Sequence, residues 1–225
     1  MAESIGEVLT YAIVVAISPV PIIAVILMLF SARARVNGPL FLAGWAVALS
    51  VVSVVAYVLA DTGDAATDNT ASDTVSWGKI AVGVLFLLIA ARQWRSRPAP
   101  GAEAAMPKWM TGIDAFSPAK AFTLALLLAG VNPKNLLLSA GAGAALAQLG
   151  PTTSDAVVSL IVFVLLGSIT IAVPVVYYLV GGDRAKVALD STKEWLAAHN
   201  AAVMTVLFLV FGVKLIADGL PVLGG

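Results

Sequence analysis

The sequence predicts an all-α membrane protein with six transmembrane helices, arranged as an inverted 3+3 repeat in which helices 1 and 4 are broken by proline. Three observations predict it: the composition, the lengths of the apolar runs, and a proline-containing break that recurs in two of them. Of the 225 residues, 60% are hydrophobic and 12% are charged, and the mean hydropathy is +0.98. Soluble domains are about 45–50% apolar and about 25% charged. A membrane chain of this length has room for six spans and short loops.

Composition also excludes several classes of function. The chain has no cysteine, which excludes disulfides, thiolate metal sites and thiol–disulfide chemistry. His199 is the sole histidine, and one histidine cannot build a histidine metal centre. The sequence contains no phosphate-binding glycine loop, nucleophile elbow or pair of catalytic carboxylates. It therefore predicts a protein that is not an enzyme and that uses no cofactor, no metal and no nucleic-acid partner.

Spans 1 to 3 are predicted in the first half of the chain. Span 1 runs from about Ile5 to Phe30 and is broken at Ser18 to Pro21. Its N-terminal flank is acidic, which is the wrong pattern for a cleaved signal peptide, so this span is expected to stay in the mature protein. Span 2 opens at Gly38-Pro39 and ends near Ala60. An acidic loop over residues 61–76 precedes span 3, which covers about Trp77 to Trp94.

Spans 4 to 6 are predicted in the second half. Span 4 covers about Phe122 to Leu149 and is broken at Asn132 to Asn135. Span 5 runs from about Asp155 to Val180. Residues 181–199 are charged and are predicted to form a short interfacial helix. Asn200 is then placed to cap span 6, which ends near Leu220.

The whole chain, residues 1–225, is predicted to form a single transmembrane domain made of two repeats. Repeat A covers about residues 1–97, an interfacial linker about 98–117, and repeat B about 118–225. Within the linker, Met106 to Met110 is amphipathic and is expected to lie on the membrane surface. Because each repeat has an odd number of spans, the two repeats must insert in opposite directions.

The distribution of charge predicts how the spans are oriented. Ten of the thirteen lysines and arginines flank the loops between spans 1 and 2, 3 and 4, and 5 and 6. They are Arg33, Arg35, Arg92, Arg95, Arg97, Lys108, Lys120, Arg184, Lys186 and Lys193. Positive charge marks the cytoplasmic side. The sequence therefore predicts a multi-pass protein of the plasma (inner) membrane with both termini on the outer side.

Lys134 is the most informative single residue. It falls near the middle of span 4, where a charged side chain costs at least a few kcal/mol (about 2.5–3.5 on insertion scales). No aspartate or glutamate lies in the central part of any predicted span. One interpretation is a cation that receives an anionic group or carries a coupling proton. The other is a structural lysine that donates hydrogen bonds to carbonyls released by Pro19, Pro21 and Pro133.

The two breaks occupy equivalent positions in the two halves. At an offset of 114 residues, Pro19 aligns with Pro133 and Ser18 with Asn132. A pair of interrupted spans at corresponding positions is the best sequence indication of a transporter's binding site. The candidate substrate-binding residues are Ser18, Pro19, Pro21, Asn132, Pro133, Lys134 and Asn135.

Three further residues are secondary candidates: Trp45, Arg92 and Lys214. Packing is the competing explanation for Trp45, a position at the membrane edge for Arg92, and an ion pair with Asp218 for Lys214. An offset of 122 aligns Arg92 with Lys214 and also residues 84–87 with 206–209, both Val-Leu-Phe-Leu.

The small residues of 139–145 predict close helix packing inside the protein, with a contact in a homo-oligomer as the alternative.

Six segments together resemble the GAP/Sap family, the peptidoglycolipid- and sulfolipid-addressing proteins of the lysine-exporter (LysE) superfamily. They are Ile17-Ser-Pro-Val-Pro-Ile22, Gly38-Pro-Leu-Phe-Leu-Ala-Gly-Trp45, Ala91-Arg-Gln-Trp-Arg95, Pro107-Lys-Trp-Met110, Asn132-Pro-Lys-Asn135 and His199-Asn-Ala-Ala-Val203. The resemblance extends over nearly the whole chain. It implies a six-span plasma-membrane protein that helps to move large glycolipids or related amphiphiles towards the cell surface.

The expected function is therefore an exporter that assists the translocation of glycolipids of the peptidoglycolipid or sulfolipid type. Its expected partners are the lipid substrate, the bilayer and other lipid-export membrane proteins. Two alternatives stay open: an exporter of small solutes such as amino acids or cations, as elsewhere in the superfamily, and a scaffold that transports nothing itself. A lipid exporter should have an opening between helices towards the bilayer, whereas a small-solute exporter should have a closed polar cavity.

Overall fold

The structure, a computed structural model, describes residues 1–62, 69–96, 112–113 and 115–220. These residues form α-helices and short connections, and no strand occurs among them. The helices are α1 (Ala2–Ala16), α2 (Pro19–Leu29), α3 (Ala34–Thr62), α4 (Asn69–Arg95), α5 (Pro118–Gly130), α6 (Pro133–Gln148), α7 (Thr153–Gly181) and α8 (Asp183–Gly219). The all-helical prediction is confirmed for the described part of the chain.

Four of the described helices contain a segment long and apolar enough to cross a membrane: α3, α4 over Ser76–Arg95, α7 and α8. Two further pairs pass the same test together but are bent at a short break. The bend is 57° between α1 and α2 and 65° between α5 and α6. If each bent pair is one span, the described residues contain six, with the breaks where the sequence predicted them. The inverted relation between the two repeats stays a prediction.

Proline begins the second helix of each bent pair. Ser18 is the N-cap residue of α2 and Asn132 is the N-cap residue of α6, with Pro19 and Pro133 directly after them. Proline is favoured at the first position of a helix, where its missing N–H would have no partner in any case, and it interrupts a helix that precedes it. A polar N-cap residue followed by proline therefore ends one helix and starts the next at both breaks.

One compact unit comprises the described residues of Met1–Thr62 and Ala105–Ala197. In it α3 packs along α5, α6 and α7, and α1 packs against α6 and α7. The small residues of α6 allow this contact: a Cβ atom on Gly143 would lie 2.1 Å from the carbonyl oxygen of Ser53 and 2.8 Å from the amide nitrogen of Tyr57. The predicted packing role of residues 139–145 is confirmed here.

A second unit comprises the described residues of Gly63–Ala104 and Ala198–Gly225. In it α4 packs against the last part of α8. A Cβ atom on Gly83 would lie 2.7 Å from the carbonyl oxygen of Gly212, so the two backbones are in close contact. One turn further along α4, the rings of Phe86 and Phe208 pack edge to face with their centroids 5.2 Å apart.

The helix boundaries differ from the predicted ones in three places. Residues 183–219 form one continuous helix, so the separate interfacial helix and the capping role of Asn200 were wrong. The physical reason is that no glycine or proline occurs from Asp183 to Phe211, whereas Gly182, at φ 56°, ends α7. The structure also starts α3 at Ala34, four residues before Gly38, and starts α4 at Asn69, inside the predicted acidic loop.

Several predicted features lie outside the described residues. They include Met106 to Met110 of the linker and the acidic positions Asp64 and Asp68. The division of the chain into repeat A, linker and repeat B stays a prediction.

The substitution Gly143→Ala should destabilise the protein by about 1–3 kcal/mol, because the new methyl group would overlap the backbone of α3. Thermal unfolding in detergent, followed by tryptophan fluorescence, measures the effect. Gly6→Ala is the matched control, since nothing lies within 4 Å of a Cβ atom there. If both variants unfold at the wild-type temperature, the close approach of α6 and α3 is wrong.

The substitution Ala201→Pro tests the continuity of α8. Proline is tolerated at the first position of a helix but costs about 3 kcal/mol in its interior. The structure places Ala201 in the interior, so this variant should unfold at a clearly lower temperature than Arg184→Pro, which changes the first turn of the same helix. Equal stability of the two variants would instead support a helix that starts at Asn200.

Candidate functional site

The two prolines of the first break leave two backbone carbonyl groups without their helical donors. In an α-helix the N–H of each residue bonds to the carbonyl oxygen four residues earlier. Because proline has no N–H, Pro19 cannot bond to Val15, and Pro21 cannot bond to Ile17. A buried carbonyl group without a donor costs about 1–3 kcal/mol, so other groups must supply the missing hydrogen bonds.

A third carbonyl group is released by Ser18. The Ser18 N–H bonds to the carbonyl oxygen of Ala16 at 2.9 Å, instead of to Val14 four residues earlier. The hydroxyl group of Ser18 donates to the carbonyl oxygen of Val15 at 2.6 Å. The carbonyl groups of Val14 and Ile17 thus still need a donor from outside the first broken pair.

Lys134 supplies that donor. Its Nζ atom donates to the carbonyl oxygens of Val14 and Ile17, both at 2.9 Å, and to the hydroxyl oxygen of Ser18 at 2.8 Å. The side chain is only 6% exposed. An ammonium group has three N–H donors, and here each has an acceptor from the first break. The lysine of the second broken pair therefore binds the backbone of the first.

Two asparagines organise the second break. The Oδ1 atom of Asn132 accepts a hydrogen bond from the backbone N–H of Lys134 at 3.0 Å, which caps the start of α6. The N–H of Asn132 bonds to Leu127, so the carbonyl group of Leu128 loses its helical donor. The Nδ2 atom of Asn135 replaces that donor at 2.8 Å. Side chains therefore satisfy the backbone at the second break as well.

Direct contacts join the two breaks. Besides the bonds from Lys134, the hydroxyl oxygen of Ser18 lies 3.2 Å from the Oδ1 atom of Asn135. Both residues are buried. We call this cluster, formed by Ser18, Asn132, Lys134 and Asn135 with the carbonyl groups they bind, the junction. Pro19, Pro21 and Pro133 contribute to it by interrupting the backbone.

The junction lies beside the middle of α7. Gly167 is the central residue of α7, and its carbonyl oxygen accepts a hydrogen bond from Trp45 Nε1 at 3.1 Å. A Cβ atom on Gly167 would lie 3.4 Å from Val15, and Thr170 donates to the carbonyl oxygen of Ala16 at 2.5 Å. The helix is roughly 43 Å long, more than the bilayer core of about 30 Å, so we expect its centre, and the junction beside it, to lie near mid-membrane.

The charge of Lys134 has no anionic partner among these contacts. All three acceptors of its hydrogen bonds are uncharged. Hydrogen bonds to carbonyl and hydroxyl dipoles stabilise an ammonium group but leave its unit charge in place. When Lys134 is protonated, the junction therefore holds a buried positive charge.

Two of the three secondary candidates, Trp45 and Lys214, form contacts outside the junction. Trp45 is fully buried, and its hydrogen bond to Gly167 gives it a structural role between α3 and α7. Lys214 forms an ion pair with Asp218, as the competing interpretation predicted. Arg92 is exposed near the end of α4. Lys214 and Arg92 both belong to the second unit.

Sequence reasoning did not identify Thr170 or Val14 as parts of the site, but the carbonyl group of Ile17 is one that Pro21 releases, as the structural interpretation of Lys134 predicted. Val14 takes part through its carbonyl oxygen, which every residue has, so no sequence signal distinguishes it. Thr170 is a polar residue within an apolar span and was a detectable signal, although a weak one.

Among the described residues, no group of three or more histidines, cysteines and acidic residues could hold a metal ion.

The fold and the junction define a class: a helical, multi-pass membrane protein whose two broken helices meet at a buried lysine. Within that class, the model of a protein family, SfLAP (Sap, sulfolipid-1-addressing protein), matches residues 8–221. The chain belongs to this family, which gives it a membrane-associated, lipid-related role. No curated protein and no solved structure matches the chain.

The substitution Lys134→Met should lower the stability by about 1–3 kcal/mol, because it leaves the carbonyl groups of Val14 and Ile17 without a donor. Thermal unfolding in lipid nanodiscs measures the loss. Lys120→Met is the control, since Lys120 is exposed. An unchanged unfolding temperature in the Lys134 variant would show that the junction contributes nothing to stability.

Proposed function

We propose that this protein assists the translocation of an anionic glycolipid, of the sulfolipid or peptidoglycolipid type, from the plasma membrane towards the cell surface. The junction is the site that receives the headgroup. The observation that carries the proposal is the buried ammonium group of Lys134, whose hydrogen bonds all go to uncharged acceptors. Its family, the sulfolipid-addressing proteins, supports a lipid as the substrate.

An anionic headgroup suits this position for electrostatic reasons. A sulfate or carboxylate oxygen can take the place of the Ser18 hydroxyl oxygen, which lies 2.8 Å from Nζ. The resulting charge-assisted hydrogen bond is roughly twice as strong as a neutral one. In the low dielectric of the membrane the attraction between the two charges is also stronger than in water. A neutral headgroup would gain neither contribution.

The exposed residues at the breaks support approach from the bilayer. Ile17 is 39% exposed and Val131 is 63% exposed, and each lies directly before the N-cap residue of its break. Apolar side chains exposed near mid-membrane face the hydrocarbon of the bilayer. A lipid can therefore bring its headgroup to the junction while its acyl chains stay among other lipids, which an aqueous pocket would not allow.

The order of the helices supports a mechanism in which two inverted repeats move against each other. Each half contains a broken pair followed by a helix of 29 residues, α3 in the first and α7 in the second. The contact between Phe86 and Phe208 joins two residues that correspond at the offset of 122. When two repeats are related by a two-fold axis, a residue contacts its own counterpart only near that axis. The contact between Phe86 and Phe208 is therefore the kind that an inverted repeat would produce. In this proposal the rocking of the repeats exposes the junction to each side in turn, with both termini outside.

One observation favours a second candidate, a membrane scaffold of a lipid-export complex that moves no lipid itself. All three donors of Lys134 are already used within the protein, which is also what a purely structural lysine requires. The two functions differ in what the purified protein does, because a scaffold alone should transport nothing.

The two functions are tested with purified protein in liposomes that contain a fluorescent sulfated glycolipid. We expect the protein to accelerate the movement of this lipid between leaflets, measured by quenching with a membrane-impermeant reductant. The variant Lys134→Gln keeps N–H donors at the junction but removes the charge, so it should fold and lose most of the movement. Lys186→Ala, which changes a lysine outside the junction, should keep it.

A neutral glycolipid with the same acyl chains provides the control substrate and should move more slowly than the sulfated one. If the wild-type protein moves neither lipid, the scaffold is favoured. If Lys134→Gln, checked for its unfolding temperature, moves the sulfated lipid at the wild-type rate, the charge of Lys134 has no role in translocation.

A further inference from the structure

An apolar groove lies between α3 and α7 in the first unit. Its volume is about 260 Å³, and it opens at the surface of the unit. The lining residues are Ser50, Ser53 and Val54 of α3, and Val157, Leu160, Ile161, Val164 and Leu165 of α7. Both helices are long and apolar enough to be membrane spans, so a groove open at their surface would lie at the depth of the bilayer.

The lining provides no polar group for a headgroup. Its only polar side chains are those of two serines, and both donate their hydrogen bond within α3. The Ser50 hydroxyl donates to the carbonyl oxygen of Ala46 at 2.8 Å, and the Ser53 hydroxyl donates to that of Ser50 at 3.3 Å. A charged or hydroxylated group would lose its hydration here and gain little. The chemistry of the lining therefore selects hydrocarbon.

The size of the groove suits a segment of an acyl chain. Pockets that enclose a drug-sized ligand measure about 300–1,000 Å³, so this groove is smaller than a site for a whole lipid. From Val157 to Leu165 it extends roughly 12 Å along α7, within the thickness of one leaflet. An extended acyl chain fits a narrow groove that follows the direction of the helices.

The inner end of the groove lies next to the junction. Val164 lines the groove, and Gly167 lies one turn further along the same face of α7, where a Cβ atom would lie 3.2 Å from Leu49 and 3.4 Å from Val15. Val15 is also the residue whose carbonyl oxygen accepts the hydrogen bond from Ser18. A molecule with a headgroup at the junction and a chain in the groove would therefore occupy two adjoining sites of opposite chemistry.

We infer that the groove between α3 and α7 binds one acyl chain of the lipid whose anionic headgroup occupies the junction. The inference rests on the proposed function for the identity of the headgroup. The groove is a second site for the same molecule, and it favours a long-chain amphiphile over a small solute. Lipids that merely surround the protein would show no such preference, because they contact every exposed apolar side chain equally.

The experiment uses full-length protein in vesicles that contain a small fraction of a sulfated glycolipid with a photoreactive diazirine on one acyl chain. Peptide mass spectrometry after illumination locates the labelled residues. We expect labelling at Val54, Val157 and Ile161 to exceed labelling at Val173 several-fold. Val173 is an appropriate reference because it lies on α7, outside the groove, and is 58% exposed, compared with 52% for both Val157 and Ile161.

Two variants and one control lipid complete the test. Ile161→Trp fills the groove and should reduce its labelling several-fold, whereas Val173→Trp places the same bulk outside the groove and should leave it unchanged. A phosphatidylcholine with the same diazirine chain lacks a net anionic headgroup and should label the groove more weakly than the sulfated lipid. Equal labelling of Val173 and the groove residues, by either lipid, would overturn the inference.

The outcomes separate this inference from the proposed function. Strong groove labelling without lipid movement between leaflets would support the groove site and contradict translocation by this protein alone. The opposite result is that the wild type and Ile161→Trp move the lipid at equal rates and that the groove is not preferentially labelled. This result would support translocation and contradict the groove site.

Discussion

The structure depends on one interaction, the set of three hydrogen bonds from the ammonium group of Lys134 to the broken end of α1. Neither partner is stable in hydrocarbon by itself. A lysine at mid-membrane costs at least a few kcal/mol (about 2.5–3.5 on insertion scales), and carbonyl groups without donors are costly as well. The ammonium group supplies hydrogen-bond donors and the carbonyl groups supply acceptors. These bonds therefore hold the two broken pairs together at their breaks.

Close helix packing supports this arrangement. Gly143 brings α6 against the backbone of α3, and Gly167 brings α7 against Val15. Trp45 fills the space between α3 and α7 and ties them with a hydrogen bond. These contacts place two continuous helices beside two interrupted ones. The continuous helices provide a rigid frame, while the interrupted ones supply the polar groups.

In the proposed function, the same geometry gives the protein both a reason to bind an anionic lipid and a means to change shape. The hydrogen bonds of Lys134 satisfy its donors but leave its charge unneutralised, so an anion competes with Ser18 for the ammonium group. Binding of that anion would loosen the connection between the two breaks. A lipid substrate would then weaken the contact that holds the closed arrangement, which couples recognition of the headgroup to movement of the repeats.

Much of the fold and the junction was predictable from the sequence because its signals are local. Proline within an apolar run and a lysine near its centre identify a broken span without reference to the rest of the chain. Of the acceptors of Lys134, the carbonyl group of Ile17 follows from Pro21, whereas that of Val14 was not predictable, since a backbone carbonyl group alone leaves no trace in the sequence. The charged residues 183–199 suggested a separate interfacial helix, but without glycine or proline between Asp183 and Phe211 nothing ends α8 there.

The central claim, that the two breaks touch each other at the junction, is tested most directly by cross-linking. The chain has no cysteine, so a Ser18→Cys, Asn135→Cys double variant contains only the two introduced thiols. The contact of 3.2 Å between the native side chains predicts that mercuric ion or mild oxidation links the two thiols within one folded chain, as detected by peptide mass spectrometry. Two thiols that each react with a small maleimide in the folded protein, and never with each other, would contradict it.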